Sequence, residues 1–192
     1  MNELLNAARE GDTAMVESLL SEGVAIDLQD KYGTTALMLA ALNGRTATVE
    51  ALLAKGAAID LQDKYGETAL MLATHNGHTA VVEALLAKGA AIDLQSNNGF
   101  TALIWAAYYK HTATVEALLA KGAAINLQDS DGFTALIWAA YRGHIAIAEA
   151  LLAKGAAIDL QDSDGRTALT LAAFVGHTDI VNLLKAAKQP TA

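Results

Sequence analysis

The chain has 192 residues, 53% of them apolar and 18% charged, with no cysteine and a single proline, Pro190. Its 13 basic and 21 acidic residues leave a formal charge of −8, which disfavours a nucleic-acid phosphate backbone as partner. Without cysteine neither a disulfide nor a thiolate metal site can form, and charge-free stretches such as 68–82 fall short of the roughly 20 apolar residues of a membrane span.

The start, Met1-Asn2-Glu3, lacks the basic and apolar regions of a secretory signal, so a cytoplasmic chain is expected. Alanine supplies 42 of the residues, which is helix-forming filler more than bulky core. A period of 33 organises the sequence. The segment Val49-Glu-Ala-Leu-Leu-Ala-Lys-Gly-Ala-Ala-Ile-Asp-Leu-Gln recurs at 82–95, at 115–128 with Asn126 for Asp, and at 148–161 with Ala148 for Val. The chain therefore divides into a capping unit 1–29, four repeats 30–62, 63–95, 96–128 and 129–161, and a capping unit 162–192, read as one continuous domain.

In chain order, the first unit offers Glu10, Asp12, Glu17, Ser21 and Glu22, the polar outer face that a terminal repeat needs. Each repeat then reads as turn, helix, helix, loop. Asp30-Lys-Tyr-Gly33 has the residues of a type I turn. Thr35 is the expected N-cap of a first helix, and Gly44 its left-handed stop. A second helix is expected from about Thr46 to Lys55, with Val49, Leu52 and Leu53 on one face and Gly56 closing it. In the last unit Asp179, Asn182 and Lys185 make the closing face polar, and the tail from Lys188 is expected to fray. Helices this short are marginal alone in water, so each unit must stack on the next.

The recurring pattern D-x-x-G-x-T-A-L…A-A…G-H…V-E-A-L-L-A-K-G-A-A-I-D resembles the ankyrin repeat along the whole chain. That resemblance implies an all-α solenoid of stacked helix-turn-helix units with β-turn or hairpin loops. It also implies a protein-binding module that uses the concave side of turn tips and first helices. The family's T-P-L-H becomes Thr-Ala-Leu followed by Met38, Met71, Ile104, Ile137 or Thr170. In layout the chain is also similar to designed ankyrin repeat binders. The paired framework blocks, Met-Leu in two repeats and Ile-Trp in the next two, are what tandem duplication leaves, so natural and engineered origins both stay open.

No catalytic set is visible: there is no cysteine, no G-x-S-x-G and no phosphate-binding loop. Asp27, Asp60, Asp93 and Asp159 repeat with the array and read as loop chemistry rather than an active site. His78, His111, His144 and His177 also repeat. Stacked helices lie about 8–10 Å apart, whereas zinc needs its ligating nitrogens about 2 Å from one ion. Equivalent histidines cannot share a metal, so neither metal nor cofactor is expected. Trp105 and Trp138 stand where other repeats have Leu39, Leu72 and Leu171, which argues for core packing. Met38 and Met71 read the same way.

The positions that vary between repeats are the second, third, fifth, thirteenth and fourteenth, on the turn tip and the end of the first helix. They carry Phe100, Tyr108, Tyr109, Phe133, Tyr141, Arg142, Arg166 and Phe174, with Tyr65 and His75 extending the set towards the N-terminus. Tyr, Trp and Arg are enriched in interface hot spots, and these residues are the expected partner-contacting set. Lys110 joins them because it replaces the left-handed glycine of Gly44, Gly77, Gly143 and Gly176, at a cost of roughly 1 kcal/mol. The expected function is a monomeric, non-enzymatic module that binds a partner protein. The alternative is a consensus-like structural scaffold or folding model with no specific partner.

Overall fold

The computed structural model describes residues 3–188; the rest of the tail, 189–192, expected to fray, lies outside the described residues. The chain divides into two compact units, one ending at Asn97 and one beginning at Asn98. In the first unit the helices are α1 (Glu3–Glu10), α2 (Thr13–Ser21), α3 (Ala36–Leu42), α4 (Thr46–Ala54), α5 (Ala69–His75) and α6 (Thr79–Ala87). In the second they are α7 (Ala102–Tyr108), α8 (Thr112–Ala120), α9 (Ala135–Arg142), α10 (Ile145–Ala153), α11 (Ala168–Val175) and α12 (Thr178–Lys188). Each helix pair falls inside one sequence unit.

Local rules start and stop these helices. Thr35 and Thr68 lie in extended backbone and accept, through their hydroxyl oxygens, the N–H of Met38 and Met71 at 3.2 and 3.3 Å. Thr101, Thr134 and Thr167 do the same for α7, α9 and α11. Each cap satisfies a donor that the first helical turn leaves open. The acidic Asp12, expected only to add polarity, caps α2 by accepting from Met15 N at 3.0 Å.

Ahead of the first helices the chain turns tightly. Gly33 N donates to Asp30 O at 3.0 Å, and Asp30 N to Thr34 O at 3.1 Å. Successive turn tips are joined within each unit: Lys64 N donates to Tyr32 O, Asn97 N to Tyr65 O, Ser130 N to Asn98 O and Ser163 N to Asp131 O. Among the described residues the loops carry only one isolated antiparallel bridge, Gln161 with Thr167, and no extended hairpin strand. Behind the second helices, Asp27, Asp60 and Asn126 each accept a backbone N–H of the following repeat, from Ala58, Ala91 and Ala157, at 2.9 Å. Asn126 thus does the same work as the aspartates, because the bond needs only a side-chain carbonyl oxygen.

Like helices stack on like. α1, α3 and α5 pack in sequence in the first unit, as do α7, α9 and α11 in the second, and the even-numbered helices pack likewise within each unit, α2, α4 and α6 in the first and α8, α10 and α12 in the second. Leu37, Met38, Leu70, Met71, Leu103, Ile104, Leu136 and Ile137 are at most 2% exposed, and Leu52, Leu85, Leu118 and Leu151 are fully buried. The alanines between them, such as Ala40, Ala73, Ala106 and Ala139, are also fully buried. Their small side chains let neighbouring helices approach closely.

The repeating histidines brace this stack. His78 donates from Nε2 to Leu42 O at 3.1 Å, and His144 from Nδ1 to Ala107 O at 2.9 Å. In both cases the ring reaches the carbonyl end of the first helix one repeat earlier. Burial pushes the His144 imidazole below its ordinary pKa, and Lys110, Arg142 and His177 push the same way, against the bond to Ala107.

Two outcomes are expected. Leu85→Ala should lower the unfolding free energy by about 2–5 kcal/mol in urea titrations, because it opens a cavity in a fully closed site. His144 is held neutral in the folded chain below the pH at which it protonates when unfolded. Stability should therefore be complete above the ordinary histidine pKa and fall as the pH drops through it. That share of the acid-induced loss should be missing from His144→Gln, measured as unfolding midpoint against pH.

Candidate protein-binding surface

In the first unit the turn tips and first helices enclose a groove of about 610 Å³. Leu5, Leu39, Leu42 and Leu72 form its apolar part, with Tyr32 and Tyr65 beside them. Tyr32 is 45% and Tyr65 61% exposed. Asp30, Asp63 and Glu67 are its acidic groups, and Arg9 and Lys31 its basic ones. The Lys31 ammonium lies over the Tyr32 ring, 4.8 Å from its centroid. Burial raises the Glu67 pKa, and the neighbouring Asp63 raises it further. For Asp30 burial works in the raising direction, but the N–H groups of Thr34 and Tyr32 and the Thr34 hydroxyl outweigh it and hold the carboxyl below its usual range.

In the second unit the same elements carry rings. Phe100 lies 4.3 Å from Trp105 and 5.9 Å from Trp138 between ring centroids. Tyr108 meets Tyr109 and Trp138 edge-on, both at 4.8 Å, and Phe133 tilts against Trp138 at 4.5 Å. The Arg142 guanidinium sits 4.2 Å over the Tyr108 ring, a cation–π contact that fixes the ring's tilt. Further along, Phe133, Trp138, Tyr141, Arg166, Leu171 and Phe174 line a pocket of about 370 Å³. Arg166 is fastened there: its Nε donates to Asp162 Oδ2 at 2.7 Å and its Nη2 to Asp164 Oδ2 at 2.8 Å. Burial opposes the ionised form of Asp162, yet Arg166 and the Asp164 N–H hold its carboxyl below the usual range.

The family model for ankyrin repeats matches at residues 4–96, 48–129, 87–162 and 121–191. The chain belongs to the ankyrin repeat family. Ankyrin repeats are generally protein–protein interaction modules, and the family is typically non-enzymatic. No curated protein sequence matches the chain. No helix among the described residues is long and apolar enough to cross a membrane.

Placed on this ankyrin frame, the candidate residues separate. Tyr109, Tyr141 and Phe174 present exposed rings, at 37%, 38% and 85%. Phe133 does not: it is only 8% exposed, because its ring is seated on Trp138 of its own repeat. Phe100 and Tyr108 are half-buried in the same way. The tryptophans depart in the opposite sense. Trp105 and Trp138 are half-buried surface members rather than core, since an indole is too large for the space filled by Leu39 or Leu72. Trp138 leans out to donate from Nε1 to Asp129 Oδ2 at 2.7 Å. They are the link between the rings. Met38 and Met71 are buried as expected.

Tyr65 lies on the groove of the first unit, whereas His75, half-buried at the end of α5, is not among the residues lining it. Leu39 and Leu72 of that groove read from the sequence as core, whereas Leu42 stands at the variable thirteenth position. Glu67, which varies at the fifth position, was the available signal for its acidic end.

Lys110 faces a separate groove of about 260 Å³ with Thr112, Gly143, His144 and Ile145. Its φ is +66°, the sole positive value at a non-glycine residue among those described. At Gly143 the following histidine ring lies where a Cβ would stand, with His177 Cε1 at 2.7 Å from that point. Lys110 does carry a Cβ, and beside it the His144 ring bonds through Nδ1 to Ala107 rather than through Nε2 as His78 does. Lys110→Gly should raise stability by about 1 kcal/mol, read as a higher urea midpoint at unchanged slope.

Proposed function

We propose that this ankyrin chain is a non-enzymatic, monomeric module that binds a partner protein through turn tips and first helices, with the rings of the second unit as principal contacts. The observation that carries the reading is Phe174. It is 85% exposed, yet it borders a pocket whose other walls include Phe133, Trp138 and Tyr141. A lone exposed ring is unremarkable on a protein surface. A ring that extends a ready-made aromatic pocket is the arrangement of an interface anchor and its seat. The cluster is already held by Arg142 on Tyr108 and by Trp138 on Asp129, so docking would immobilise few further side chains.

Both origins, natural and engineered, are compatible with this reading. A scaffold without a partner has little use for Phe174, which is 85% exposed. The test compares the parent with a Tyr109→Ala, Tyr141→Ala, Phe174→Ala variant in pull-downs from a protein lysate, with retained proteins identified by mass spectrometry. Tyr109 and Tyr141 also pack on Trp105 and Trp138, so the variant is compared only after its urea midpoint shows that it is folded under the pull-down conditions. A partner held by the parent and lost by the variant is the expected result. Equal retention by both chains would move the site off the rings.

A further inference from the structure

The turn aspartates Asp30, Asp63, Asp129 and Asp162 use their first carboxylate oxygen identically. Oδ1 accepts the N–H two residues on and the N–H four residues on, at 2.8 to 3.0 Å in every case. The second oxygen is where the repeats differ. At Asp129 it accepts the Trp138 indole N–H, and at Asp162 it accepts Arg166 Nε, each at 2.7 Å. Around Asp63 the corresponding residues are Leu72, which has no side-chain donor, and Glu67, which is itself an acid. The last repeat thus pairs its turn aspartate with a guanidinium. The repeat containing Asp63 instead sets two carboxylates side by side at one end of an apolar groove.

We propose that the groove of the first unit docks an arginine-bearing apolar segment of a partner protein, its aliphatic side chain against Leu39, Leu42 and Leu72 and its guanidinium between Asp63 and Glu67. The inference rests on the protein-binding reading above and gives the partner chemistry for this other unit. Three observations converge on it. The groove, at about 610 Å³, has room for side chains of that size. Among the described residues no ion pair engages Asp63 or Glu67, so this acidic pair is complementary to a cation from outside, and ion pairing across an interface fixes register as well as partner. The Asp162–Arg166 pair demonstrates within the same fold that this turn geometry accepts a guanidinium Nε at 2.7 Å. Arg9 and Lys31 belong to the same groove but to α1 and the preceding turn. Lys31 neighbours Asp30 in that turn and acts on its carboxyl, so Asp63 and Glu67, from the following turn, are the pair offered to a partner's basic side chain. Burial first, and the neighbouring Asp63 second, raise the Glu67 pKa, and a cation placed between the two carboxylates would oppose both.

The test is selection of a displayed random-peptide library on the full chain, followed by binding of the enriched peptides to the parent, Glu67→Arg, Glu67→Gln and Phe174→Ala. Glu67→Arg copies the arrangement of Asp162 and Arg166, so it should fill the cation's place from within the chain and melt no lower than the parent. Glu67→Gln keeps the shape and removes only the charge. Enriched peptides should carry arginine beside an aliphatic residue. They should bind Glu67→Arg at least about tenfold more weakly, Glu67→Gln with a smaller loss, and Phe174→Ala as they bind the parent. Affinity should also fall as salt is raised. Absence of arginine from the peptides whose binding survives Phe174→Ala would overturn the proposal, as would unchanged binding of arginine peptides to Glu67→Arg. Peptides lost on Phe174→Ala but not on Glu67→Arg would overturn it while leaving the aromatic reading standing. Peptides indifferent to every substitution would overturn both.

Discussion

A helix of seven to nine residues, such as α3 or α4, forms too few internal bonds to offset the cost of its nucleation. Here each one persists because a like helix lies against it, leucine and alanine against leucine and alanine. That requirement constrains almost everything else. A residue that faces a neighbouring repeat must offer the same shape every 33 residues, so Leu52, Leu85, Leu118 and Leu151 recur and are all fully buried. Buried places change only within similar shapes, as Met38 and Met71 give way to Ile104 and Ile137, and freedom to vary is greatest at the turn tip and the last turn of the first helix. The stack thereby separates the residues that hold the fold from those that face solvent. It also holds the second group rigid before any partner arrives, which limits the entropy lost on docking.

The turn aspartate shows how closely the two roles can be joined. One oxygen of Asp63 or Asp162 closes the turn by accepting two backbone N–H groups, and no substitution at a variable position disturbs that. The other oxygen answers to whatever the fifth and tenth positions supply: an indole from Trp138, a guanidinium from Arg166, or neither at Asp63, whose neighbours are Glu67 and Leu72. A single carboxylate thus belongs to the frame through one atom and to the surface through the other. Changing one residue at the turn foot changes the surface chemistry without touching the frame.

Much of this was legible in the sequence because it follows from short-range rules. Thr35 as N-cap, Asp30 to Gly33 as a turn and a left-handed backbone at Lys110 each depend on neighbours a few residues away, and each stands in the structure. The position of the rings was not legible in the same way. Phe133 and Phe174 both lie at variable positions and have the same side chain, yet one is 8% and the other 85% exposed. What separates them is Trp138 leaning over the first, held outward by a bond to Asp129. That bond cannot be inferred from spacing. Trp105 and Trp138 were misplaced for the converse reason: the place they occupy is core when filled by leucine, and only the volume of the indole turns it into surface.

The frame is the same in both units, but the electrostatics of its fill are opposed. In the second unit the charges are mostly spent within the chain: Arg166 on Asp162 and Asp164, and Arg142 over Tyr108. What is left for a partner there is chiefly ring area, whose contribution grows with the surface removed from water and depends little on ionic strength. In the first unit burial, and then the neighbouring Asp63, disfavour the charged form of Glu67 beside leucines, a cost that the proposed cation would offset. Contacts of the first kind give affinity to many apolar surfaces. Contacts of the second kind penalise a partner that lacks the charge, because two carboxylates would then be covered without compensation. On the two proposals together, one surface of the chain would hold a partner and another would choose it.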